Sequence, residues 1–209
     1  MFPQAGETVP RVRFEGFSKA WNVRKLLNYI VTSRAKNRQN QYSKQDVLSV
    51  SGEHGIVNQI QFQGRSFAGS SVSEYGIVKT GDIVYTKSPL KSNPHGIIKT
   101  NTGASGIVST LYAIYNPLPI TNPLFVQYYF EHDLRLNSYL KPIVNKGAKN
   151  DMKVSDENAL IGNVVFPCRS EQDAIVTFLQ LLDEQIAFQS QKLERLGQLK
   201  SAYLQKMFV

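Results

Sequence analysis

Residues 170–209 read SEQDAIVTFLQLLDEQIAFQSQKLERLGQLKSAYLQKMFV, and their spacing decides the fold. Apolar side chains fall at Ile175, Leu179, Leu182, Ile186, Leu193, Leu196, Tyr203 and Met207, alternately four and three apart, with Gln189 and Lys200 as polar interruptions. A repeat averaging three and a half residues keeps one seam turned toward a partner helix, the coiled-coil pattern. No proline interrupts it. Gly197 alone weakens it, by about 1 kcal/mol against alanine. Ser170 is placed to cap the N-terminus, with Glu171 and Asp173 in a first turn where negative charge suits the dipole. Lys200 and Lys206 sit at the other end.

Such a helix reaches roughly 55 Å, too far for a domain of this size to cover. Phe178, Leu181 and Phe188 lie outside the narrow seam, so more than one side calls for burial. One reading packs the helix along its own domain. The other, which the length favours, makes it a spacer that pairs with another helix and separates two globular units.

Outward from this helix, residues 1–169 predict a globular domain and 170–209 an appendage. The 209 residues are 42% hydrophobic and 11% aromatic, enough for a proper core. No apolar run approaches the twenty or so residues of a membrane span, and the first residues lack the build of a secretion signal, so a cytoplasmic protein is expected. The single cysteine, Cys168, fits a reducing compartment. Residues 1–170 hold 20 Lys and Arg against 11 Asp and Glu, net +9; residues 171–209 hold 4 against 5, net −1. The excess positive charge therefore sits on the globular part, as a nucleic-acid footprint would.

Residues 9–30 begin extended and predict a short amphipathic helix, with Phe14, Phe17 and Trp21 as core anchors. Residues 32–45, TSRAKNRQNQYSKQ, have no apolar periodicity and read as a basic loop, either merely solvated or tracking phosphates. Between residues 46 and 115, VLSVSG, GIVNQIQF, YGIVKTGDIVYTK, HGIIKT and GIVSTLYAIY read as short strands of a curled sheet, with a turn at Lys79–Asp82. The class is α+β. Residues 87–96, KSPLKSNPHG, form a loop that offers ammonium, hydroxyl, amide and imidazole groups, the set used on base edges and phosphates. Residues 122–140 have helical spacing, 141–153 read as a second basic loop, and 161–166 as a last strand.

Motifs for bond chemistry are missing from the sequence. The three histidines and one cysteine show no metal-ligand spacing, and there is no nucleophile elbow or phosphate-cradling glycine loop. Asn122-Pro123-Leu124-Phe125 and Asp151-Met152-Lys153 echo methyltransferase and nuclease motifs only faintly.

VPRVRFEGFSKAW, YGIVKTGDIVYTK, GIVSTLYAIY, FPCRSEQDAIVTFLQLLDEQI and KLERLGQLKSAYLQKMF, in that order, resemble the specificity subunits of Type I restriction-modification systems, over residues 9–208. The resemblance implies a DNA target recognition domain followed by a long helix, with no catalysis on this chain. It implies docking to methyltransferase subunits, which would carry S-adenosylmethionine, and to a restriction and translocase subunit, which would carry ATP and Mg. Family members usually hold two such units in tandem, and this chain holds one. A homodimer with antiparallel C-terminal helices would restore the arrangement, reading half-sites about one to one and a half helical turns apart. A specificity-swapping cassette and a coiled-coil interaction adaptor with a basic head are the alternatives. The candidate base readers are Lys87, Ser88, Lys91, Asn93 and His95 in one loop and Lys146, Lys149 and Asn150 in the other. Arg34, Lys36, Arg38 and Arg65 are the candidate phosphate contacts.

Overall fold

A computed structural model describes residues 1–90, 92–146 and 152–207. In chain order the strands are β1 (Asn22–Lys25), β2 (Ile30–Thr32), β3 (Leu48–Ser51), β4 (Gly55–Asn58), β5 (Gly76–Val78), β6 (Ile83–Thr86), β7 (Ile98–Thr100), β8 (Gly106–Val108), β9 (Tyr112–Pro117), β10 (Asn145–Lys146), β11 (Met152–Lys153) and β12 (Asn163–Phe166). The helices are α1 (Gln59–Gln63), α2 (Pro123–Phe130), α3 (Asp133–Leu140) and α4 (Arg169–Met207).

The centre is an antiparallel sheet in the order β2-β9-β6-β7. Its middle strands are apolar at nearly every position, and the period of two deals their side chains to opposite faces. Ile83, Tyr85, Ala113 and Tyr115 enter the main core, whereas Val84 and Ile114 join Leu48, Val78 and Val108 in a second cluster behind the sheet. The register pairs Ile83 with Tyr115, Val84 with Ile114 and Tyr85 with Ala113. The other described strands form two-stranded ribbons, β1-β12, β3-β4, β5-β8 and β10-β11, so the strand-rich region is several small sheets rather than one curled sheet. At the Lys79–Asp82 turn Gly81 takes a φ of 89°, and Asp82 accepts the Lys79 amide at 2.7 Å.

Three local expectations need correction. Residues 22–25 form β1, not a helix, because they pair with β12 at the far end of the domain, a long-range choice that local periodicity does not register. GIVNQIQF is a strand only through Asn58, whose side chain accepts the Ile60 and Gln61 amides and starts α1. Residues 122–140 are two helices rather than one. Asn122 caps α2 with Pro123 behind it, and the chain breaks into extended backbone at His132.

The main core is aromatic. Trp21, Phe125, Tyr129 and Phe166 meet mostly edge to face, for example Phe125–Phe166 at 5.0 Å and Tyr129–Phe166 at 4.9 Å between ring centroids. Trp21 is the anchor expected, and Phe14 packs at the core's margin, against Phe178.

The long helix is present as α4, 39 residues and about 58 Å of continuous helix. It starts two residues earlier than a Ser170 cap would place it, with the Glu171 and Gln172 amides donating to the Cys168 carbonyl. Its first two turns are in the core: Ile175 is 1% exposed and Val176 is buried beside it. From Gln180 to Met207 the residues are exposed throughout, and beyond Asp183 the helix stands off the head for about 36 Å. Ile175 therefore belongs to the head and not to a free seam, and Leu179 packs against the same core. No helix among the described residues is long and apolar enough to cross a membrane.

Candidate nucleic-acid interface

The residues after β2 do more than solvate a loop. Ser33 donates its amide to the Ile114 carbonyl at 2.8 Å, the Ala35 carbonyl accepts the Ile77 amide at 3.1 Å, and Asn37 donates its amide to the Tyr75 carbonyl at 3.0 Å. The Asn37 side chain is buried and ties the segment shut, donating to the Tyr42 and Val72 carbonyls and accepting the Tyr42 amide. Alternate residues thus bond inward, and the period of two leaves Arg34, Lys36 and Arg38 exposed between them. With Thr32, Ser33, Asp156 and Glu157 they line one groove of about 480 Å³.

Two of these cations have exposed carboxylate neighbours, Arg34–Glu157 at 3.7 Å and Arg38–Glu74 at 3.5 Å. Exposed pairs of this kind are worth about 0–1 kcal/mol, so neither holds its arginine away from a polyanion. Lys36 has no ion pair among the described residues. Three positive side chains thus stand at the rim of one groove.

The first candidate reading loop divides. Lys87 donates to Asp156 at 2.8 Å, with its side chain 19% exposed. Asp156 also lines the basic groove, so Lys87 reaches its wall through that pair and is engaged within the head. Ser88 is exposed. Asn93 is 7% exposed and donates to Asp133 at 2.9 Å, while Asn137 donates to the Ser92 carbonyl at 3.1 Å. Its amide fastens the loop to α3 and is turned away from solvent. His95 is half-buried, and its carbonyl accepts the Tyr85 hydroxyl at 2.7 Å. Burial pushes that phenol well above its ordinary range, keeping it a neutral donor.

In the second loop Lys146 lies in β10; Lys149 and Asn150 lie outside the described residues, as does Lys91 of the first loop. Arg65 is not in the groove. It follows α1, with its guanidinium 4.6 Å above the Phe67 ring. The structure thus gathers Arg34, Lys36 and Arg38, joins Lys87 to them only through Asp156, and leaves Arg65 and Asn93 apart. Asn93 lines a different cleft, of about 550 Å³, with Glu53, Glu131, Asp133 and Asp183 on its walls. Among the described residues no three His, Cys, Asp or Glu side chains are grouped to hold a metal.

On α4, Leu182, Ile186, Leu193, Leu196, Tyr203 and Met207 remain exposed as one stripe, and Leu182, Ile186 and Leu193 line a shallow apolar groove with Gln185, Gln189 and Ser190. Leu181, Phe188 and Leu199 are exposed on the adjoining side. Sequence reasoning missed what holds this helix to the head. Glu171 is buried, not a surface charge at a helix start; it accepts Arg13 at 2.6 and 2.7 Å and the Trp21 indole at 3.2 Å. The only local signal for that pair was an arginine beside the aromatic anchors.

No family model matches the sequence, and no curated protein does. Solved structures share the fold, two of them as follows. One is the HsdS subunit from Thermoanaerobacter tengcongensis, at 15% identity and a TM-score of 0.51, covering 89% of this chain and 41% of that one. The other is a chain from a structure described as the basis of complex assembly and conformational transition of the type I R-M system, at 14% identity and a TM-score of 0.52, covering 89% and 42%. The chain spans about two-fifths of the length of the solved chains it matches. The chain has an HsdS-like fold.

Proposed function

We propose that this chain is a DNA-reading unit of a Type I restriction-modification complex, one half-site to each head. The observation that carries the reading is the HsdS-like fold over 89% of the chain. The groove of Arg34, Lys36 and Arg38 tracks phosphates, and the neighbouring loops, Ser88 among them, approach the bases. The bare stripe on α4 takes the same stripe of a second copy, antiparallel, so that the two heads stand at opposite ends and read an inverted repeat. The adjoining apolar side, with Leu181, Phe188 and Leu199, is left for the methyltransferase subunits, and the restriction subunit joins that assembly. Bond chemistry, with its S-adenosylmethionine and ATP, belongs to those partners.

The test is binding of the purified chain to duplex DNA, measured by fluorescence anisotropy across a salt series. The log of affinity should fall steeply and linearly with the log of salt, with a slope set by the number of phosphates neutralised. In cells carrying the chain, single-molecule sequencing should find a two-part methylated motif with a fixed unread interval. Salt-independent binding, or a genome without such a motif, rejects the proposal.

A further inference from the structure

The rod is held on three sides, over several turns. Gln172, 0% exposed, donates to the Ile120 carbonyl at 3.1 Å and the Pro167 carbonyl at 3.0 Å, and accepts the Asn122 amide at 2.8 Å. Asn122 caps α2 and donates its side-chain amide to Asp173 at 2.7 Å. Arg169 also donates to Asp173, at 2.8 Å, and to the Pro119 and Thr121 carbonyls at 3.1 and 3.0 Å. The first turn of α4 and the first turn of α2 therefore share one hydrogen-bonded knot. The N-terminal arm grips a second side through Arg13 and Glu171. Farther along, the Tyr128 hydroxyl donates to Asp183 at 2.6 Å.

Gln172 and Asp183 lie about 17 Å apart along the helix, and about 36 Å of rod extends beyond the second point. A tilt of about 5° at the knot would carry the far side of a head about 40 Å across by about 3.5 Å parallel to the rod, close to the 3.4 Å rise of one base pair along a strand. Angular play at this joint is thus converted into uncertainty in the distance between heads, at the scale of a single base pair.

We propose that Gln172 and Asp173, through Asn122, are positioning residues that set which spacer length the protein accepts. They touch no base. The proposal rests on the DNA-reading function above, and it adds that specificity for the interval resides in the joint as well as in the rod's length.

The test compares methylomes of cells carrying wild-type chain, Gln172→Leu and Asp173→Ala. Leucine keeps the volume and removes all three hydrogen bonds; Asp173 is half-exposed, so its truncation leaves a folded head should the Gln172 variant fail to accumulate. Both half-sites should stay unchanged. Sites with the spacer one base pair longer or shorter, unmethylated with wild type, should be methylated to within about tenfold of the native interval, the change that loosening one buried hydrogen-bonded group produces. Retention of the single native spacer by the folded variants overturns the inference and leaves the DNA-reading function standing. Absence of any two-part motif with wild-type chain overturns that function, and the inference with it.

Discussion

Leu193→Ala on the free part of the rod tests the pairing of helices directly. Leu193 is 73% exposed and lies beyond every contact with the head. Truncation removes three carbons, worth about 2.4 kcal/mol when fully buried at roughly 0.8 kcal/mol per methylene. About three-quarters of that is realised only on pairing, near 1.8 kcal/mol per copy, and a twofold dimer carries the change twice. The dissociation constant should rise by about 3.5 kcal/mol, some 300-fold. Sedimentation equilibrium over a concentration series measures it. Gln198→Ala, on the opposite face of the helix, is the control and should leave association unchanged. The head's unfolding temperature should not move in either variant. A wild-type chain that is monomeric at micromolar concentration, or a Leu193→Ala constant within a few-fold of wild type, refutes the seam.

Glu171→Gln keeps the shape of a buried carboxylate but strips its charge, leaving Arg13 without its ion-pair partner; the head should lose about 3 kcal/mol in urea unfolding, and an unmoved midpoint would show the pair to be incidental. Lys36→Ala should weaken duplex binding evenly across sequences and lower the salt slope by about 1, whereas a change confined to one sequence would make Lys36 a base reader. Asp173 gives a pH signature. Burial alone would raise its carboxyl, but hydrogen bonds from Asn122 and Arg169, with the guanidinium charge, outweigh it and hold the group below its ordinary 3.8. The stabilisation is therefore present above that value and lost as pH falls through the lowered one. Asp173→Asn should be less stable than wild type at pH 7, with the gap closing as pH falls below 3.8; a gap that persists unchanged in acid would place the effect elsewhere.

The parts of the fold that sequence reveals are those whose pattern is local and repeated. The rod announces itself through eight apolar positions at a steady interval, and β6 and β9 through runs such as IVYT and YAIY that suit strands buried on both faces. What stays hidden depends on partners far along the chain. β1 looks helical until β12 is beside it. Asn93 resembles a base reader by type, and only the arrival of Asp133 makes it an internal strut. The three cations of the groove were legible as charge, but not their common direction, because the alternation comes from bonds to Ile114, Tyr75 and Ile77 that no window around residue 36 contains. Type and charge survive folding, whereas direction is assigned by it.

The apolar register of α4 does not restart where the helix leaves the head. Ile175 is core, Leu179 sits at the margin, and Leu182 and Ile186 continue the same four-three spacing into solvent. One pattern thus satisfies two requirements in succession, burial in the domain and then presentation to a partner, with no change of phase between them. Because side chains on a continuous helix keep a fixed angular relation, the direction in which the free stripe faces is dictated by how Ile175 and Val176 are seated among the aromatic rings. A one-residue insertion between 183 and 186 would turn the stripe from Ile186 onward by about 100° while leaving the head's contacts with Phe178, Leu179 and Asp183 in place. The head's packing therefore governs more than its own stability: it selects the side from which a second helix has to approach.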